Sequence, residues 1–383
     1  MEKKEKVLWL DGLKGLACMG VFAHHFMLAF FPASYYGTGA KSLLNGFDTA
    51  LATAPFGALI NGNFWVCLFI LISAYLAARS IMRSPDEKKG ERAGSIVLRR
   101  YPRLLIPVLA VCVLKFVLIH VLDRLGWNYI GAVLPYGLKD WLKHSAVLVF
   151  FTQDDTLIGP LWTIHYLFFG VLLAVLLALP AKKTRPWMIL VYVLLLYPAA
   201  VLNVHYTSAI LGVLLADIEV FERFGKLSEK SGLRDRRTLS AVLAAILIVL
   251  GGFIGGYPSY AEPENIYRVL TPFVHLFGRV TDTPAEFMHA CGAFVMMLGI
   301  LYWNRLSLPS VLSTKVMRYL GSICLGVFLL HILWIEQLGY YLNDLLVSKL
   351  GSRAGAGAAV FAILTVLLVA SSELFCRVLR QKK

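Results

Sequence analysis

The chain has 383 residues, 58% of them hydrophobic and only 16% charged, with a mean hydropathy of +0.70 and a formal net charge of +14. That balance lies outside the range of water-soluble domains and excludes a soluble globular reading. The six cysteines are scattered with no CxxC pair and no Cys/His metal spacing, so they read as small apolar packing residues and no metal site is expected.

Crossing a hydrocarbon core of roughly 30 Å takes about 20 helical residues. Apolar runs of that kind recur near 12–32, 55–78, 104–122, 162–179, 187–203, 205–218, 239–256, 286–303, 318–338 and 356–376. The run at 205–218 is the shortest and ends on polar residues. The first run is read as retained in the mature protein, because it carries Asp11 and Lys14 at its start and lacks a small-residue cleavage site. With the N-terminus inside, 28 of the 37 Lys and Arg fall in alternate, inner segments, as the positive-inside rule requires for an even number of crossings. The expected fold is therefore an all-α integral membrane protein of about ten transmembrane helices in one bundle, with both termini cytoplasmic. It forms a single domain over 1–383, with no soluble domain attached. The same asymmetry accounts for most of the positive charge, which makes a basic pI no argument for nucleic-acid binding. Between the spans, the charged stretch 80–99 is expected to be mobile at its centre, and 123–161 to fold over the outer face.

Some residues carry chemistry into the spans. In the first helix Lys14, Cys18, Val21 and His25 fall at i, i+4, i+7 and i+11, so Lys14 and His25 share a stripe. At 1.5 Å per residue they stand about 16 Å apart along the axis, placing His25 near mid-membrane. Ionisable groups at that depth face a cavity or the bundle interior. His24 points about 100° away and reads as a packing residue. Arg99, Arg100 and Arg103 gather where the third span leaves the cytoplasm, and guanidinium forks match phosphate geometry. An ordinary positive-inside cluster explains them equally well. His331 follows Gly321-Ser322-Ile323-Cys324-Leu325-Gly326, whose small residues suit close helix contact. Under this topology all nine histidines lie at mid-depth or outside.

Taken together, these stretches resemble the acyltransferase-3 family of integral-membrane acyltransferases. Leu10-Asp11-Gly12-Leu13-Lys14 with His25 is similar to that family's first-helix Asp-Gly-Leu-Arg followed by a histidine. Phe69-Ile70-Leu71-Ile72-Ser73-Ala74-Tyr75 resembles its Phe-x-x-x-Ser-Gly-Phe/Tyr, Arg100 and Arg103 its Arg-x-x-Arg, and Leu161-Trp162-Thr163-Ile164 its Leu-Trp-Ser/Thr-Leu/Ile. Leu320-Gly321 through His331 resembles a late segment ending in histidine. Three departures stand out. Lys14 replaces an arginine, Ala74 a glycine, and Leu167 stands where the family often has a glutamate.

The resemblance implies a bacterial plasma-membrane enzyme that moves an acyl group, expected to be acetyl, from cytoplasmic acyl-CoA to a hydroxyl of an extracytoplasmic or membrane-associated acceptor such as a polysaccharide, a lipid-linked sugar or a small molecule. His25 is the expected catalytic residue, as general base or through a transient acyl-imidazole. Lys14, Arg100 and Arg103 are expected to hold the CoA phosphates. Asp11, Ser73, Trp162, Thr163 and His331 are expected on the acceptor side or in support. No tightly bound cofactor is expected, with acyl-CoA entering as co-substrate. Two alternatives are compatible with the residues: an exporter of a small anion or metabolite, and a non-catalytic scaffold in envelope assembly.

Overall fold

The protein is described by a computed structural model covering residues 8–127, 136–223, 237–261, 263 and 265–380. Most of the inner charge between 223 and 237, and residues 128–135 of the stretch 123–161, lie outside these residues. Among the described residues every regular element is helical. Ten longer helices stand at the ten apolar runs: α1 (Leu8–Phe30), α2 (Gly62–Met82), α3 (Lys89–Arg124), α4 (Trp162–Ala178), α5 (Met188–Leu202), α6 (Val204–Val220), α7 (Arg237–Gly255), α8 (Pro284–Arg305), α9 (Lys315–Trp334) and α10 (Arg353–Arg380).

Eight of these helices, some extended by flanking turns, are long and apolar enough to cross a membrane. The exceptions are α5 with 15 residues and α6 with 17, the pair expected at 187–203 and 205–218. At 1.5 Å per residue they reach roughly 22 and 26 Å, short of the roughly 30 Å hydrocarbon core. The break between them is at Asn203, whose extended backbone ends α5 and whose side chain caps α6 by accepting from His205 N.

A second difference lies at 80–99, expected as a loop with a mobile centre. There α3 begins at Lys89, some fifteen residues before the expected start near 104. No residue between Lys89 and Arg100 breaks a helix except two isolated glycines, and Glu91 in the first turn suits the helix dipole. The start is pinned from outside: Lys89 Nζ donates to Ala181 O at 2.9 Å, and Asp86 takes ion pairs from Lys89 (2.9 Å) and Lys182 (2.7 Å). Pro102 and Pro107 sit inside the helix without ending it. Within a protein bundle, neighbouring groups can satisfy the carbonyls that proline leaves open.

The chain divides into two compact units, one of residues 1–52, 102–165 and 311–383, the other of 53–101 and 166–310. In the first unit α1 packs on α9, and α9 on α10. The α1–α9 contact is made by glycines. Gly321 backs directly onto the Asp11 carbonyl, Gly12 onto Leu312 O and Gly15 onto the backbone at Leu320 and Gly321, so a Cβ at any of them would collide with main chain. Above this seam Phe22 stacks on Phe361 of α10 with ring centres 5.2 Å apart, and Trp334 Nε1 donates to Ser371 Oγ at 2.9 Å. Beyond α1, the buried Asp48 fixes the turn at 42–49 by accepting from Ser42 Oγ (2.5 Å) and Leu43 N (2.7 Å). Burial raises its pKa, but these bonds, with those from Leu44 and Thr49, outweigh it and hold the carboxyl below the usual value.

In the second unit α2 packs on α6, α7 on α8, and α8 on both α2 and α6. Small residues again set the separation, since Gly212 of α6 lies on the Leu71 carbonyl, and Gly251 and Gly255 of α7 interlock with Gly292 of α8.

Because the neighbour at Gly321 is backbone and cannot rotate away, Gly321→Ala is expected to force α1 and α9 apart, at a cost of about 1–3 kcal/mol. The check is thermal unfolding of the detergent-purified protein, where Gly321→Ala should melt well below wild type. Gly90→Ala, at a position where an added Cβ meets open space, should not.

Candidate functional site

Four of the expected residues, Asp11, Lys14, His25 and His331, sit along the α1–α9 seam of the first unit. At its lower end Lys14 Nζ pairs with Asp11 at 2.8 Å, an i,i+3 pair whose side chains stay partly exposed. The Asp11 carbonyl is the group that Gly321 admits, so the close approach of α9 also fixes the start of α1 where this pair stands.

Eleven residues further on, the His25 ring lies 5.1 Å from the His331 ring at a tilt of 35°, and 5.0 Å from that of His24. His24 in turn meets Tyr35 edge-on at 4.9 Å. The sequence reading set His24 aside as a packing residue. The structure places it in the cluster, because a ring can swing back across the 100° that separates consecutive Cα–Cβ directions. His331 is fully buried, and its Nδ1 lies 2.7 Å from Phe328 O. A carbonyl can only accept, so Nδ1 carries the proton and Nε2 keeps its lone pair. That Nε2 is buried and has no hydrogen-bond partner among the described residues. An unsatisfied buried acceptor costs on the order of 1–3 kcal/mol, and such costs are concentrated where a group is held for use.

The other expected residues are dispersed. Thr163 is buried, and its hydroxyl donates to Pro160 O at 2.9 Å, a local bond in the first turn of α4. Trp162 starts that helix and is half-buried, as is Ser73 on α2 in the second unit. Arg103 and Arg99 are exposed on α3. The boundary between the units falls between Tyr101 and Pro102, so Arg103 belongs to the first unit and Arg100 to the second. Arg100 donates through Nε (3.1 Å) and Nη2 to the main-chain carbonyl of Leu167. The position that lacks the family's common glutamate thus still holds the guanidinium, through its backbone. Among the described residues no three His, Cys, Asp or Glu side chains stand close enough to hold a metal ion.

The second unit contains a buried polar network that sequence reasoning did not single out. His205 Nε2 donates to Asn63 Oδ1 (2.8 Å), Asn63 Nδ2 to His289 Nδ1 (2.9 Å) and His289 Nε2 to Tyr257 O (2.8 Å). Asn61 caps α2 by accepting from Phe64 N and also donates to Tyr257 O at 3.2 Å. The network joins the starts of α2, α6 and α8 to the end of α7. The visible signal was Asn61 and Asn203, cap residues next to apolar runs, each two residues before another polar side chain.

A sequence model of the acyltransferase domain matches residues 7–372. The chain belongs to the acyltransferase-3 family. It is a multi-pass membrane acyltransferase, and the match takes in residues of both units and every site residue named above. It gives no support to an anion exporter. Neither a curated protein nor a solved structure matches the chain.

Replacing Asn63 with Leu would orphan a donor on His205 and an acceptor on His289, at roughly 1–3 kcal/mol for each buried group left unsatisfied. Asn63→Leu is expected to lower the thermal unfolding midpoint, and His289→Phe with it, whereas a mere filler role for these residues would leave both near wild type.

Proposed function

We propose that this acyltransferase moves an acyl group, acetyl as the leading candidate, from cytoplasmic acyl-CoA to a hydroxyl of an acceptor on the outer side of a bacterial plasma membrane. The observation that carries the reading is the pairing of His25 with His331, whose Nε2 lone pair is buried and open, on the seam that begins at the Asp11–Lys14 pair. In this reading Lys14 and Arg103, both of the first unit, meet the CoA phosphates near the inner surface. Lys14 offers a point charge, where an arginine would offer a bidentate fork. The pantetheine arm brings the thioester up the seam towards His25.

The acceptor O–H then gives its proton to an imidazole as its oxygen bonds to the thioester carbonyl carbon. The C–S bond breaks, and the proton goes on to the departing thiolate, leaving an ester and free CoA. His25 is the group nearest the seam's mid-depth to act as that base. His331, with Nδ1–H anchored on Phe328 O, is set to take a proton at Nε2 and to hold the neighbouring ring in place. A positioned base contributes about 10²–10⁴ in rate.

Two measurements test this on purified protein in detergent or nanodiscs. His25→Ala should lower acyl transfer from acetyl-CoA to a hydroxyl acceptor by about 10²–10⁴ in kcat with little change in acyl-CoA affinity. Unchanged turnover would remove His25 from the chemistry. Arg103→Ala should weaken acyl-CoA binding by about tenfold or more, since a charge-assisted hydrogen bond is worth about 1.5–3 kcal/mol. Unchanged affinity would leave Arg103 as a topology determinant only.

A further inference from the structure

The α1–α9 seam is built on a repeated sequence. Gly-x-x-Cys-x-Gly-Val-Phe-x-x-His stands at 15–25 and again at 321–331, so six of eleven positions carry the same residue. The two copies pack in the same register, since Gly15 meets Gly321 and the His25 ring meets that of His331. One of the unmatched positions changes the chemistry of a buried side chain. Where α9 has Leu330, α1 has His24, and both are buried. Leucine thus meets the packing need at this level of the seam. An imidazole in its place gives up hydration that leucine never had, at about 1–3 kcal/mol unless polar partners make up for it. Packing does not explain the choice of histidine.

His24 is also the middle of a continuous row of rings. From the fully buried His331 the ring centres step 5.1 Å to His25, 5.0 Å to His24, 4.9 Å to Tyr35 and 5.1 Å to Tyr36. Tyr35 and Tyr36 end the short helix Ala33–Tyr36 beyond the last turn of α1, and Tyr36 is exposed. The row therefore stays within the first unit and runs from the histidine pair to the surface at the end of α1 remote from Lys14. Two imidazoles joined by an N–H···N hydrogen bond have ring centres about 5 Å apart, the N···N distance plus the distance from each nitrogen to its ring centre. An imidazole accepts a proton at one nitrogen and gives one up at the other, and a phenol does both through one oxygen. A second row on α1, Phe22, Phe26 and Phe30, shows what packing alone selects there: rings with no proton to exchange.

We propose that His24 is a proton relay between the His25–His331 pair and the outer surface, with Tyr35 as the next station. The relay rests on the acyl-transfer reading for the source of its proton. In that reading the acceptor O–H bond breaks as its oxygen bonds to the thioester carbonyl carbon, and the proton lands on His25. A buried imidazole that has taken a proton must lose it before it can act as base again. Direct passage to the thiolate is one exit, and the relay is a second. His25 hands its proton to one nitrogen of His24, the other nitrogen gives up its own towards Tyr35 and the surface, and the thiolate takes a proton at the inner side. One O–H bond is broken and one S–H bond is formed by either exit, so atoms and charge balance. His24 touches neither thioester nor acceptor and acts only through His25.

The experiment uses the full chain in nanodiscs and has two readouts. The first is acetyl transfer from acetyl-CoA to a panel of hydroxyl acceptors, glycerol, methyl glucoside and cellotriose. His24→Leu, which copies the side chain of the matching α9 position, should lower kcat by about tenfold or more, with the KM of acetyl-CoA and the melting temperature unchanged. Added imidazole should restore kcat in His24→Leu by about fivefold or more and leave wild type unchanged, since a soluble base replaces a relay but not a packing residue. Tyr35→Phe, which keeps the ring and loses the hydroxyl, should also lower kcat without changing KM. The second readout needs no substrate: nitrogen-15 NMR follows exchange of the His25 ring N–H with water, which His24→Leu should slow by about tenfold or more. His144→Asn, at a histidine outside the row, should leave both readouts unchanged. His24→Gln forms hydrogen bonds but takes no proton, and replaces His24→Leu should that variant fail to fold. Wild-type kcat in either His24 variant, a loss that imidazole does not restore, or unchanged exchange would each overturn the relay. Wild-type protein that transfers no acetyl group, while His24→Leu still slows exchange, would instead sink the transfer reading and leave the relay standing.

Discussion

The arrangement of the first unit depends on one steric constraint, the absence of side chains at Gly12, Gly15 and Gly321. In a bilayer there is no hydrophobic drive to press one apolar helix on another, so contact must come from close backbone approach. Where Gly321 admits the Asp11 carbonyl, α1 and α9 are locked in depth as well as in separation. Two histidines that sit eleven residues beyond Lys14 and ten beyond Gly321 are thereby carried to the same level. Their rings meet because the helices below them cannot drift apart.

Several buried polar side chains among the described residues have backbone groups or neutral amides as their partners. His331 is anchored on a carbonyl, Thr163 on Pro160 and the His205–Asn63–His289 chain on Tyr257. Such bonds fix orientation without placing a second charge in the membrane. Ion pairs stand beside them: Lys115 with Glu336 and Lys14 with Asp11 in the first unit, and Glu219 with Arg79 and Arg83, Asp217 with Arg223, and Asp86 with Lys89 and Lys182 in the second.

Much of this was legible from the residues alone, for identifiable reasons. Helix positions follow from runs of apolar side chains, and all ten runs contain helices. The shared stripe of Lys14 and His25 is a matter of 100° per residue, and the late histidine was marked by its motif. What failed to show is equally specific. Hydropathy could not see that α3 begins at Lys89, because its first turns are charged and only their anchoring to Ala181 makes them ordered. The break at Asn203, by contrast, was visible, since the runs 187–203 and 205–218 already stop on either side of it. The Lys115–Glu336 pair spans 221 positions, and nothing local ties one end to the other. Asn61, Asn63, His205 and His289 look like scattered helix-start polar residues until four helix ends are brought together.

The contact between Arg100 and the Leu167 carbonyl has a further meaning. A glutamate at that position would orient a guanidinium and also cancel its charge. A peptide carbonyl orients it through the same two N–H groups while contributing only a dipole, so this contact leaves the formal charge intact. Every residue type has a carbonyl, which frees the side chain at 167 to be a buried leucine. Holding the guanidinium by backbone at this position therefore separates its aiming from the choice of side chain at 167, two tasks that a glutamate there would perform together.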